Sequence, residues 1–235
     1  VSIRVERNGH RVRRGVLVAV TATLLAAGLL IGPSSLPGGT AIPSASAACP
    51  QVEVIFARGR LESPGVGVIG NSFVNALRSK VDKNINVYAV RYPADNEIDV
   101  GANDMSAHIQ NMANTCPDTR LVLGGYSLGA AVTDVVLAVP FSFFSWDNPL
   151  PAGMDQKVAA VALFGNGAAW MGPITNFSPL YSDRTIELCH GADPICNPAD
   201  PNTWEQNWVD HASRAYIDAG MVNQAADFVA GRLNV

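Results

Sequence analysis

The sequence predicts an α/β fold, a parallel sheet of five strands with helices on both faces. Two observations lead there. From residue 52 onward, short runs rich in β-branched residues alternate with amphipathic stretches, the pattern of strands joined by helical crossovers. In "RLVLGGYSLGAAVTDVV" an apolar strand pattern passes into a helix pattern across one serine flanked by glycines. At 235 residues, 48% hydrophobic and 15% charged, the chain is long enough for one such domain with a sizeable core.

The N-terminus stands apart from this pattern. Arg11, Arg13 and Arg14 precede sixteen uninterrupted apolar or small residues, Val16 to Ile31, and a Pro/Gly/Ser-rich stretch carries the chain to Ala45-Ser46-Ala47. A basic segment, an apolar segment and a small-residue cleavage pattern read as a secretory signal over 1–47, with the folded domain at 48–235. The apolar run falls short of the ~20 residues that span a bilayer, and an uncleaved anchor is the alternative. Without 1–47 the chain keeps 11 basic and 19 acidic residues, a net charge of −8. Nothing basic remains to hold nucleic acid.

The expected strands are 52–57 (VEVIFA), 86–92 (NVYAVRY), 120–126 (RLVLGGY), 157–165 (KVAAVALFG) and 184–189 (RTIELC). Helical periodicity fits 66–80, 99–114 and 128–138, then one helix around 205–219 and another from 221 to 233, separated by Gly220. Two stretches, 141–155 and 166–183, show no clear element. They are rich in aromatic residues, Pro and Gly, and are candidate cleft walls through Phe141, Phe143, Phe144, Trp170 and Phe177, although packing over the sheet would use the same residues.

All four cysteines lie in the exported part, and an even count in an oxidising compartment implies two disulfides. Spacing favours Cys189 with Cys196, closing the loop "CHGADPIC", and leaves Cys49 for Cys116. The layout agrees, because Cys49 and Cys116 shortly precede the first and third strands, which are neighbours in a doubly wound sheet. Neither pair has zinc-type spacing, so no metal site is expected.

Gly125-Tyr126-Ser127-Leu128-Gly129 fits G-x-S-x-G, a sharp turn that lifts a nucleophilic serine out of the sheet. In a chain with 21 glycines the string alone is weak, and a tight packing turn is the plain alternative; the strand before it and the helix after it supply the context the motif demands. A serine hydroxyl needs a base, and the base needs an orienting acid. In this setting the chain order is nucleophile, acid, histidine, and only His190 and His211 follow Ser127. His211 is the better base, since His190 precedes every acid a strand end could present beside it. Asp193, fastened inside the small cysteine loop, is the acid, with Asp200 second. Asp210 adjoins the histidine awkwardly, and Asp134 points away down the helix. For an oxyanion, the Leu128 N–H is one donor, and the loop after the first strand, "ARGRLESPG", offers Gly59 and Arg60.

With "FARGRLESPG", "GGYSLGA", "CHGADPIC" and a following His211 in this order, the chain resembles the cutinase family of serine esterases, in particular its secreted actinobacterial branch. The match runs from about Cys49 to the C-terminus. The resemblance implies a small α/β-hydrolase domain with no cofactor and no metal, with Ser127 as nucleophile, Asp193 as acid, His211 as base, and disulfides Cys49–Cys116 and Cys189–Cys196. It implies a secreted monomer that hydrolyses esters of short to medium acyl chains and meets lipid or polyester surfaces transiently. Two positions depart from the family pattern: Arg60 stands where Ser or Thr is usual, and Leu128 where Gln is usual. A lost side-chain donor at the oxyanion costs up to ~3 kcal/mol of transition-state stabilisation. That opens a competing expectation, a non-catalytic binding protein on the same fold. Arg60 is alternatively expected to favour an anionic substrate head group.

Overall fold

Five strands, β1 Val52–Ala57, β2 Ile85–Ala89, β3 Arg120–Tyr126, β4 Val158–Phe164 and β5 Thr185–Leu188, form one parallel sheet in the order β2-β1-β3-β4-β5. Among the described residues six α-helices accompany them: α1 Gly67–Arg78, α2 Ile98–Thr115, α3 Leu128–Ala138, α4 Ile174–Phe177, α5 Ser213–Asp218 and α6 Met221–Leu233. The structure is a computed structural model that describes residues 49–197 and 201–234. The segment expected to be a signal, residues 1–47, and Asp200 lie outside the described residues.

The sheet is covered on both faces, which is why β1, β3 and β4 read as near-continuous apolar runs while the edge strands β2 and β5 are only partly buried. Side chains alternate across the pleat. On β1, Val52, Val54 and Phe56 join the core under α1 and α6, with Phe73, Phe164 and Tyr216; Ile55 and Ala57 join the core under α2 and α3, with Met105, Val132 and Leu163. The strand order reverses between β1 and β3. Open sheets of this kind bind ligands beyond the strand C-termini at that point, and the loop after β1 and the turn after β3 both arrive there.

Two expected elements end differently. The second strand stops at Ala89 instead of residue 92, because side chains take over its backbone partners: the Arg91 N–H donates to Asp104 Oδ2 at 2.8 Å and the Tyr92 carbonyl accepts from Arg58 at 2.7 Å. The helix expected at 205–219 is a 3-10 turn, Gln206–His211, followed by α5, with extended backbone at Ala212 (φ −65°, ψ 137°). The Tyr126 hydroxyl donates to the His211 carbonyl, occupying the acceptor that a continuous helix would use. Both expected disulfides are present, Cys49–Cys116 and Cys189–Cys196.

Candidate active site

Ser127 sits between β3 and α3 with φ 56° and ψ −117°, a conformation uncommon for a non-glycine residue. Packing enforces it. A Cβ on Gly125 would lie 2.2 Å from the Gly129 carbonyl oxygen, and one on Gly129 would lie 2.0 Å from the Ala57 carbonyl oxygen. The Ser127 N–H donates to Phe164 O, and its own carbonyl accepts from Ala130, Ala131 and Gly167. The turn is thereby tied to β4, to its own helix and to the loop after β4.

His211 and Asp193 reach the serine from two later loops. His211 Nε2 lies 2.8 Å from Ser127 Oγ, and His211 Nδ1 lies 2.7 Å from Asp193 Oδ2. Asp193 is 0% exposed. Burial alone would raise its carboxyl, but hydrogen bonds from His211, from the Tyr216 hydroxyl (2.5 Å) and from the Ile195 N–H (2.8 Å) outweigh it and hold the group below the usual carboxylate range. An ionised carboxylate only accepts, so the proton of the imidazole sits on Nδ1 and the Nε2 lone pair faces the serine hydroxyl. The rings of Tyr126 and Trp208 lie near-parallel to the imidazole, with centroids 5.3 and 5.1 Å away, and limit its rotation.

The other expected donors are only partly as read. The Gly59 N–H is already taken by Glu62 Oε2 at 2.6 Å, which leaves Arg60 as the main-chain donor of that loop. The Leu128 N–H is at the first position of α3, where a helix offers it no acceptor. Arg60 and Leu128 line one cleft of about 460 Å³ with Ser127, His211, Trp208 and Asp95. Glu62, which also accepts from the Val68 N–H, and Arg58, which binds the carbonyls of Glu62, Tyr92 and Pro93, brace this loop.

An apolar cavity of about 240 Å³ continues the cleft between α3 and residues 167–177; Ile98, Ala131 and Gly167 line both. Trp170 and Phe177 border it, as the sequence suggested for 166–183. The 141–155 loop does not. Phe141, Phe143 and Phe144 line neither space and are exposed, Phe144 at 91%, because Trp146 plugs the loop onto Val139 through its indole N–H and turns the phenylalanines outward.

The remaining candidates separate clearly. His190 lies 3.3 Å from Asp210 Oδ1, away from the serine, and Asp210 Oδ2 accepts the Ala192 N–H. His108 on α2 bonds Glu53 at 2.9 Å and stacks on Tyr88, a packing role. Asp134 points away from the serine down α3, as read from the sequence, and there it is buried and accepts from Asn166 Nδ2 at 2.7 Å. The donor atoms of Cys189, Asp193 and Cys196 cluster within 4.8 Å, but the two sulfurs are bonded to each other, so the cluster offers no thiolate to a metal.

The family model that matches the chain is Cutinase, over residues 48–233. Among curated relatives, "Probable carboxylesterase Culp2" of Mycobacterium tuberculosis (strain ATCC 25618 / H37Rv) is 68% identical over 223 residues, covering 94% of this chain and 97% of that protein. "Phospholipase Culp4" of the same strain is 45% identical over 218 residues, 91% of this chain and 90% of that protein. Among solved structures, Trichoderma reesei cutinase in complex with a phosphonate inhibitor superposes with a TM-score of 0.60 at 29% identity, covering 79% of this chain and 77% of that one. An acetylxylan esterase, at a TM-score of 0.62 and 22% identity over 79% of this chain and 100% of its own, shares the fold.

Proposed function

The chain belongs to the cutinase family and is a carboxylic ester hydrolase, and from that premise we propose that Ser127, His211 and Asp193 form its catalytic triad. The observation that supports this most directly is the hydrogen-bonded chain from Ser127 Oγ through His211 to Asp193, at 2.8 and 2.7 Å. Ser127 Oγ attacks the ester carbonyl as its proton passes to His211 Nε2. The resulting oxyanion is held by the N–H groups of Leu128 and Arg60, both backbone donors and therefore indifferent to the side-chain departures at these positions. Histidine then protonates the leaving alcohol, and water repeats the sequence on the acyl-enzyme with His211 as base. Asp193 keeps the imidazole in the required tautomer and stabilises its charged form.

The substrate is an ester or lipid. The acyl chain enters the apolar cavity beside α3, which supports a preference for short to medium chains, and the phospholipase relative makes a phospholipid the lipid ester to test first. Secretion is supported by the basic-apolar-small pattern of residues 1–47 and by two disulfides. Among the described residues no helix is long and apolar enough to cross a membrane.

The test is hydrolysis of p-nitrophenyl esters from acetate to palmitate by the oxidised protein, with labelling by a fluorophosphonate probe. Activity and labelling are expected in the wild type, and in Ser127→Ala the labelling disappears. His211→Ala should lower kcat by roughly 10⁴-fold or more. A folded wild type that neither labels nor turns over would instead support a binding protein on this fold.

A further inference from the structure

The apolar cavity beside α3 contains one feature that its chemistry does not call for. Asp134 lines it, 6% exposed, as the one charged residue among apolar neighbours that include Ala131, Val135, Ala138, Ile174 and Phe177. One carboxyl oxygen accepts from Asn166 at 2.7 Å, while the other, Oδ1, is buried without a hydrogen-bond partner. A buried, half-satisfied carboxyl is costly and calls for an explanation. Seven residues of helix separate it from Ser127, about 10 Å along the axis at ~1.5 Å per residue, the reach of an acyl chain of roughly eight carbons.

We propose that Asp134 is the specificity-determining residue of the acyl subsite: as a neutral acid it lets an apolar chain pass beyond Ala131, and as a carboxylate it keeps water there and restricts the enzyme to short chains. The proposal rests on the reading of this cavity as the acyl subsite. Its physical basis is the asymmetry between a protonated carboxyl, which an alkyl chain can cover at modest cost, and an ionised one, which cannot be stripped of water without a partner.

The surroundings place this change in a useful range. Burial, the largest influence, pushes the Asp134 carboxyl up to about 7; the Asn166 hydrogen bond opposes it and Glu187 adds to it. Glu187, on β5, is the charged group facing it; its carboxyl is itself raised by burial and accepts the Ile174 N–H at 2.9 Å. No other charged residue occurs on α3 or in residues 165–177. From α2, the acidic residues near this end are Asp99 and Asp104, and Asp104 is bound by Tyr88 and the Arg91 N–H.

The experiment measures kcat/KM for decanoyl and butyryl esters of one alcohol from about pH 5.5 to about pH 8.5, quantifying the released acid by chromatography. Titration of the triad affects both esters alike and cancels in the ratio. In the wild type the decanoyl-to-butyryl ratio should fall roughly tenfold as pH rises, the burial of one to two methylenes. Asp134→Asn should hold the ratio near its acid-limb value at every pH, and Glu187→Gln should retain the fall. A flat wild-type ratio, or the same fall in Asp134→Asn, overturns the proposal while leaving the esterase intact. Failure to hydrolyse either ester would instead remove the serine-esterase reading on which it rests.

Discussion

Tyr216 shows how much of the proposed triad is held by a residue outside it. It is fully buried, and its hydroxyl donates to the same Asp193 oxygen that His211 engages. A native carboxyl held below its unfolded range adds stability above the unfolded pKa and loses it as pH falls. Tyr216→Phe removes one of the donors that hold Asp193 down. The variant should lose about 1.5–3 kcal/mol of stability at neutral pH, with the difference from wild type shrinking in acid, and roughly tenfold in kcat; denaturant melts at several pH values and steady-state kinetics would show both. The three residues of the hydrogen-bonded chain proposed as the triad could be named from the sequence, because chain order and the cysteine loop leave few alternatives to Ser127, Asp193 and His211. Tyr216, Glu62 and Asp134 were not, since their meaning depends on which neighbours the fold brings to them. Nothing local distinguishes a tyrosine that supports a carboxylate from one that fills a core.

At the scale of elements, the turn carrying Ser127 is a packing solution as much as a catalytic one. β3 and α3 approach each other and β1 so closely that Gly125 and Gly129 have no space for a methyl group. Gly129→Ala would press on the Ala57 carbonyl at the end of β1, from which the Arg60 loop departs. Overpacking of this kind costs ~1–3 kcal/mol, and a displacement of about 1 Å in the oxyanion loop costs about a hundredfold in rate. A melting temperature lowered by several degrees with kcat reduced far more than KM is the expected outcome; unchanged kcat would mean that the loop is positioned independently of the helix. Strand and helix boundaries followed periodicity wherever backbone partners were regular. They failed at residues 90–92 and around Ala212, where Asp104, Arg58 and Tyr126 side chains take the backbone's hydrogen bonds. Those substitutions are invisible to a one-dimensional pattern and lie close to the cleft.

Across the whole molecule the two disulfides divide the work between folding and chemistry. Cys49–Cys116 closes a separation of 67 residues and fastens the entry of β1 to the connection leading into β3, the adjacent strand at the centre of the sheet. Cys189–Cys196 closes only 7 residues, and its loop carries Asp193. In the chain-entropy account, the long closure restricts the unfolded chain by about 4 kcal/mol and the short one by about 2–3 kcal/mol. Position reverses the order for catalysis. The first bridge lies at the strand N-termini, opposite the cleft, whereas the second holds the acid within 2.7 Å of His211. Replacing Cys49 and Cys116 together by Ser should therefore lower the melting temperature more, with kcat nearly unchanged below the transition. The Cys189/Cys196 double Ser variant should melt closer to wild type yet lose kcat by roughly tenfold or more, because a mobile Asp193 no longer fixes the imidazole. Thermal melts paired with kinetics on the same samples would separate the two effects; an unchanged kcat in the Cys189/Cys196 variant would show that the cysteine loop holds its shape through the Ala192 contact to Asp210 and the Ile195 contact to Asp193 without the covalent bond.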